Sequence, residues 1–142
     1  MNWQAKTFAT LSVAELHAIY RLRVATFVVE QQCPYQEVDD RDPTATHLYA
    51  TENDAIAAYC RLIQGAEGVH IGRVIVAPAR RGRGMAKTLM QAALCLVAGQ
   101  AAYLQAQAHL QNFYASFGFL PISDVYPEDG IAHIDMRRPP DA

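Results

Sequence analysis

Apolar residues recur at three- and four-residue intervals in two stretches of the chain, and in short β-branched runs between them. In the first stretch Leu16, Ile19, Tyr20, Arg23 and Phe27 share one side of a helix, mostly apolar. Ser12-Val13-Ala14-Glu15 ahead of it is a capping box, with Ser at the N-cap and Glu at N3. Residues 24–30 carry several β-branched side chains, which predicts a break or a second helix there. In the second stretch, beginning at Gly84, Leu89, Ala92, Ala93, Leu96 and Val97 form an apolar stripe, and Gly99 is expected to stop the helix. A shorter helix is expected over 110–117, closed by Gly118.

The remaining pattern reads as strands: 3–9, 47–51, 56–62, 69–76, 103–106, 119–123 and 131–136. Glu52-Asn53-Asp54 supplies the turn of an antiparallel hairpin, and Pro78 ends the strand at 69–76. A loop containing Pro127 and Asp129-Gly130 joins the last two strands. One strand–loop–helix–strand unit sits in the middle. The order predicts an α/β sheet, partly antiparallel, with helices on its faces. Residues 31–46 are rich in Asp, Gln and Pro and long for a connection. They are either a functional loop or an irregular edge packed by Tyr35 and Val38.

With 142 residues, about half of them hydrophobic, residues 1–142 are expected to form a single domain. No run of about 20 apolar residues predicts a membrane span. The first residues lack a charged-then-apolar signal pattern, so a cytoplasmic location is expected. The net charge of -2 argues against nucleic acid as a partner. Cysteines 33, 60 and 95 stand alone and read as free thiols. The five histidines show no metal-ligand spacing, and no metal is expected.

The chemistry concentrates after the strand at 69–76. There Arg81-Gly82-Arg83-Gly84-Met85-Ala86 leads into a helix. The first N–H groups of a helix lack internal partners, and with the helix dipole they attract an anion. Gly82 and Gly84 let successive N–H groups aim at one point. Arg80, Arg81, Arg83 and Lys87 add positive charge. The expected guest is a phosphate or pyrophosphate; the alternative is a solvated basic turn. Two nucleotide loops fail to match. Lys87-Thr88 follows Ala86 rather than Gly, against the P-loop, and Lys87 stands where the dinucleotide fingerprint needs its last Gly.

Residues 81–86 fit Arg/Gln-x-x-Gly-x-Gly/Ala, and residues 76–84 fit Val-x-Pro-x-x-Arg-Gly-x-Gly. Tyr114-Ala115-Ser116-Phe117-Gly118-Phe119 follows about 30 residues later. On these motifs the chain resembles the GNAT superfamily of N-acetyltransferases, and the order of elements fits over most of its length. It is similar to the ElaA-like branch through Phe27-Val28-Val29-Glu30-Gln31, Cys33-Pro34-Tyr35-Gln36, Gly72-Arg73-Val74-Ile75-Val76, residues 106–114 and Asp129-Gly130-Ile131.

The resemblance implies a mostly antiparallel sheet whose parallel central pair splays to hold coenzyme A. It implies direct transfer of acetyl from acetyl-CoA to a primary amine, with no acyl-enzyme. Backbone groups of Val74 and Val76, flanking Ile75, would pair with the pantetheine arm. The Val76 N–H would hold the thioester oxygen. Arg81, Gly82, Arg83, Gly84, Met85, Ala86 and Lys87 would hold the pyrophosphate. Asn112 and Phe113 would flank the cofactor. Tyr114 would protonate the departing thiolate; otherwise it is a core aromatic. Many members place Asn seven residues before this Tyr; here that position is Gln107. His70 and Glu30 are two candidates for the general base, each with an ordinary alternative as a strand-end or helix-end residue. Arg73 with Glu37, Asp39 and Asp40 would select a charged substrate, or form a solvated loop. Homodimers are common in the superfamily. The competing reading is an acyl-CoA sensor without turnover.

Overall fold

The computed structural model describes residues 1–142. Its elements, in chain order, are β1 (Asn2–Thr7), α1 (Val13–Val24), a π-helical stretch (Ala25–Glu30), β2 (Thr46–Glu52), β3 (Ala55–Gly65), β4 (Gly68–Val76), α2 (Met85–Val97), β5 (Ala102–Gln107), α3 (Gln111–Ala115), β6 (Leu120–Pro121), β7 (Tyr126–Glu128) and β8 (Ile131–Arg138). The strands form one sheet in the order β1-β2-β3-β4-β5-β8-β6, with β7 also on β8. Every pairing is antiparallel except β4 with β5. The α/β mixed sheet expected from the pattern is the observed one.

The capping box forms as read. The Glu15 N–H donates to Ser12 Oγ at 3.0 Å, and the Ser12 N–H donates to Glu15 Oε1 at 2.8 Å. The helix then continues into a π-helical stretch over the β-branched residues rather than breaking. On α2 the buried residues are Leu89, Met90, Ala93 and Val97. They pack with Leu48, Cys60, Val69, Ile71, Leu104 and Met136 into the larger core. Full burial of a Leu or Met contributes about 1.5–3 kcal/mol each, so this face fixes α2 on the sheet. A smaller core of Ile19, Tyr49 and Tyr59 holds α1 on the opposite face.

Several boundaries differ from the sequence pattern. The αL residue that ends α2 is Ala98 (φ 55°), one before Gly99. The helix expected over 110–117 is one turn, Gln111–Ala115, preceded by a 3-10 turn. The strand expected over 119–123 pairs only through Leu120–Pro121. Tyr126–Glu128 forms a strand where a loop was expected. Its Asp129-Gly130 turn has both residues at positive φ, the geometry that closes a two-residue hairpin. Pro127 is tolerated because this short strand lies off the main strand path, on β8. No helix is long and apolar enough to cross a membrane.

Candidate active site

The central feature is a parting of β4 from β5. They pair only at Val69 with Ala102 and His70 with Tyr103. The Val69 N–H donates to the Ala101 carbonyl at 2.9 Å, and an added Cβ at Gly68 would lie 2.2 Å from that same oxygen. Only glycine at 68 lets the two backbones meet there.

Beyond the junction β4 carries a bulge. Gly72 pairs with Arg61 and Ile75 with Tyr59, so β4 spends one residue more than β3 over this interval. Arg73 takes the bulge conformation at φ 52°. That angle is uncommon for a residue with a side chain, and tertiary contacts hold it. Arg73 Nε lies 2.5 Å from Glu37 Oε2, Arg73 Nη2 donates to the Glu37 carbonyl at 2.9 Å, and the guanidinium stands over the Tyr35 ring. The Ala77 N–H donates to the Ala57 carbonyl at 2.9 Å. In an antiparallel ladder this turns the N–H and C=O of the preceding residue, Val76, away from β3. They face the gap that β5 has left, as do those of Val74 two residues earlier.

A cavity of about 680 Å³ runs through this gap. Val74, Ile75 and Val76 line it, with Tyr114 and Leu110 from the α2 face and Phe27, Tyr35 and His70 from the α1 face. Gln107 also lines it. Asn112 is exposed and Phe113 packs edge-on against Tyr114 and Phe117; neither lines the cavity. Tyr114 is 6% exposed. Burial first, then the nearby Cys60 thiol, raises its pKa, so the phenol is neutral at pH 7.

The basic turn lies past the end of β4. Gly82 and Gly84 sit at φ 79° and 74°, and an added Cβ at either would meet nothing within 4 Å. Gly84 is the N-cap of α2, so the N–H groups of Met85, Ala86 and Lys87 begin the helix without intrahelical partners. Arg83 and Lys87 are exposed. Arg80 is paired with Glu52 at 3.2 Å. Arg81 is engaged rather than free: it binds Glu30 and donates from Nε to the Val76 carbonyl at 3.1 Å. This pairing brings two of the sequence candidates together across the cavity mouth.

His70 lies on β4 as expected and lines the same cavity. It stands at the closed end, six residues from Val76, roughly 18 Å of extended strand. That exceeds the reach of direct proton transfer at Val76. Burial first, then Arg41 and Arg61, holds its pKa below the usual imidazole range, so it is neutral.

The acidic loop residues do not await a charged substrate. Arg23, 0% exposed, donates to both carboxylate oxygens of Glu37 and both of Asp42. Arg61 grips Asp39 through Nη1 and Nη2 at 2.7 and 2.9 Å. Glu37 and Asp39 therefore fasten the 31–46 loop to the sheet, and Asp40 alone of the three is exposed. Opposite charges packed at the sheet explain why so polar a loop is ordered. The Cys33 thiol is buried and donates to the Asp129 carbonyl; burial raises its pKa, which keeps it an inert thiol. Arg61 and Arg41, absent from the sequence candidates, line the cavity too. Strand alternation alone does not say that Arg61 faces a gap, and Arg41 lies in the 31–46 loop, whose course no periodicity predicts.

A splayed parallel pair, a bulge at its mouth and a glycine-bearing helix start define an acyl-CoA-dependent N-acyltransferase fold. A family model described as an acetyltransferase (GNAT) domain matches residues 10–139, and the chain belongs to that family. It is 46% identical over 147 residues to the protein ElaA of Escherichia coli, covering 97% of this chain and 96% of ElaA. The crystal structure of Escherichia coli ElaA superposes with a TM-score of 0.94 over 97% of this chain and 99% of that one. An acyl-CoA N-acyltransferase from Pseudomonas aeruginosa, 42% identical, superposes at 0.92 over 97% and 99%. An aminoglycoside 6'-N-acetyltransferase complexed with coenzyme A, 16% identical, superposes at 0.71 over 95% and 96% and shares the fold.

Proposed function

We propose that this protein transfers an acetyl group from acetyl-CoA to a primary amine, within one domain spanning 1–142. The reading is carried by the turning of the Val76 N–H and C=O into the gap beside β4. An extended pantetheine arm can pair there as an added strand, and Val74 supplies the same edge two residues earlier. The Arg81–Ala86 turn and Lys87 then receive the pyrophosphate, with Gly82 and Gly84 leaving its approach open. Arg81 must exchange Glu30 for phosphate oxygens. Gln107 lies along the arm, and Asn112 and Phe113 border the outer part of the cofactor.

The amine reaches the thioester from the α1 face. Its nitrogen attacks the carbonyl carbon, and the oxygen gains negative charge beside the Val76 N–H. A fixed donor in a largely dry site stabilises that charge more than water does. The attacking nitrogen releases its proton to solvent, the C–S bond breaks, and the sulfur takes the proton of the Tyr114 hydroxyl. A thiol near ~8.5 and a phenol near ~10 are close enough for this exchange, and burial raises the cost of both anions alike. Tyr114 recovers its proton from solvent.

Thermal shift with acetyl-CoA and with free CoA, followed by thiol release on adding mixed amines, tests the reading. Stabilisation by both ligands and amine-dependent thiol release are expected. No stabilisation by either removes the coenzyme A site; stabilisation without turnover leaves an acyl-CoA-binding module.

A further inference from the structure

Four residues before Val76 the cavity holds two buried nitrogens with nothing to bind. Arg61 Nε and His70 Nδ1 are both shut from solvent and lack a hydrogen-bond partner. The Arg61 side chain is 5% exposed, and its two other nitrogens are committed to Asp39 and Asp42. Both orphan nitrogens border the open space beside Gly72. A methyl added to Gly72, which pairs with Arg61 across the sheet, would sit 3.7 Å from His70 Nδ1 and 4.0 Å from Arg61 Nε. A buried donor without a partner is costly, so a ligand that satisfies both regains that cost.

Both signs of charge surround this space. Arg41, Arg61 and Arg73 line the cavity there. The carboxylates there are already engaged: Asp39 has both oxygens on Arg61, Glu37 and Asp42 are held by Arg23, and Asp135 accepts from the Tyr126 hydroxyl. This leaves the arginines as the open partners. Arg41 is exposed, and its guanidinium stands outside every ion pair of the chain. Arg61 Nε–H is a donor only, and neutral His70 can present Nδ1–H. Two unpaired donors, a free guanidinium and a glycine that leaves room are the complement of an oxyanion.

We propose that Gly72, His70, Arg61 and Arg41 form a cradle for a carboxylate or phosphate at the end of the acceptor remote from its amine. The placement of the amine rests on the transferase reading above. Gly72 stands roughly 11–13 Å along the strand from Val76. With the amine ~3–3.5 Å from the thioester, roughly 7.5–10 Å of that strand length is left between nitrogen and anion. A long-chain amino acid or a short peptide spans that interval; a free α-amino acid reacting at its α-amine does not.

The test compares 6-aminohexanoate with hexylamine, and 5-aminopentyl phosphate as a third acceptor, in the wild type, Gly72→Ala and Arg41→Gln. Gly72 has ordinary backbone angles and the added methyl meets only ordinary contacts, so Gly72→Ala keeps the fold; unfolding curves check this. We expect kcat/KM for 6-aminohexanoate at least ten times that for hexylamine. Gly72→Ala should erase the preference, and Arg41→Gln should reduce it. The better of the carboxylate and phosphate substrates identifies the anion. Equal values for acid and amine, or a preference that survives Gly72→Ala, overturn the cradle. Calorimetry with 6-acetamidohexanoate and N-hexylacetamide needs no turnover. Tenfold tighter binding of the acid, lost in Gly72→Ala, sustains the cradle even in a protein that transfers nothing; equal or absent binding overturns it.

Discussion

Arg81 holds Glu30 through both terminal nitrogens, at 2.9 and 3.1 Å, while its Nε caps the Val76 carbonyl. One guanidinium thus bridges the edge of β4 and the end of the first helical segment. The pair is more than two-fifths exposed on each side, so it adds less than about 1 kcal/mol to stability. Its consequence is for binding. Glu30→Gln frees Arg81 and removes a negative charge beside the 81–86 turn. The KM for acetyl-CoA should fall about two- to fivefold at low salt, and the gain should fade as salt rises. Steady-state kinetics also decide the fate of Glu30 as a base: kcat should hold within about threefold, and a loss of about a hundredfold or more would make it the proton acceptor.

Tyr114→Phe removes one oxygen from a side chain otherwise packed among Phe113 and Phe119. We expect kcat to fall about a hundredfold or more, with acetyl-CoA affinity within about twofold of the wild type. Equilibrium titration and steady-state kinetics separate the two. An unchanged kcat takes Tyr114 out of the chemistry and leaves it as core.

Gly84→Asp places a carboxylate where the phosphates are expected. The position is at φ 74° with open space around it, and Asp tolerates such angles better than most residues. The fold should survive with a loss of about 1–3 kcal/mol. Thermal shift by coenzyme A should vanish; a normal shift would move the pyrophosphate elsewhere.

Asp42→Asn breaks the network at its centre. Arg23 is fully buried and Asp42 is one of its two carboxylate partners. Uncovering a buried charge costs about 3–5 kcal/mol, which should lower Tm by about 10 °C or more. Calorimetric unfolding measures it. A shift of only a degree or two would show that Glu37 alone suffices for Arg23.

Acid should unfold the loop anchor before the core. The hydrogen bond from Arg61 holds the Asp39 carboxyl down at about 2, against ~3.9 for an unfolded Asp. For Asp42 burial acts upward, yet the bonds from Arg23 and Arg61 outweigh it and the pKa is lowered. A depressed folded pKa gives stability that is present above about pH 4 and lost as pH falls toward about 2. Acid titration followed by circular dichroism should show that loss, and Asp39→Asn should flatten the response between those limits.

Much of the site's chemistry was legible without coordinates because it is local. The capping box at Ser12, the glycine-bearing turn at 81–86 and the start of α2 depend on residues within a few positions of one another. Backbone angles and helix-end N–H groups follow from such short stretches. The strand at 126–128 was missed, although Asp129-Gly130 is a hairpin signal, because three residues containing a proline carry too little pattern to outweigh it. The role of Glu37 and Asp39 was misread for another reason. A polar loop looks solvated until the arginines of α1, β3 and β4 are known to lie beneath it.

The sequence by itself determined the order of strands and helices, the family resemblance and the glycine-bearing basic turn between Val76 and Lys87. Hydrophobic period, turn residues and motif spacing encode these along the chain. Tertiary structure alone decided that Arg73 would take a positive φ, that β5 would part from β4 after His70, and that Arg81 would close on Glu30. Each is settled by partners dozens of residues away, through packing and charge pairing that no local window contains. It also decided that two buried nitrogens, Arg61 Nε and His70 Nδ1, would lie unpaired beside Gly72.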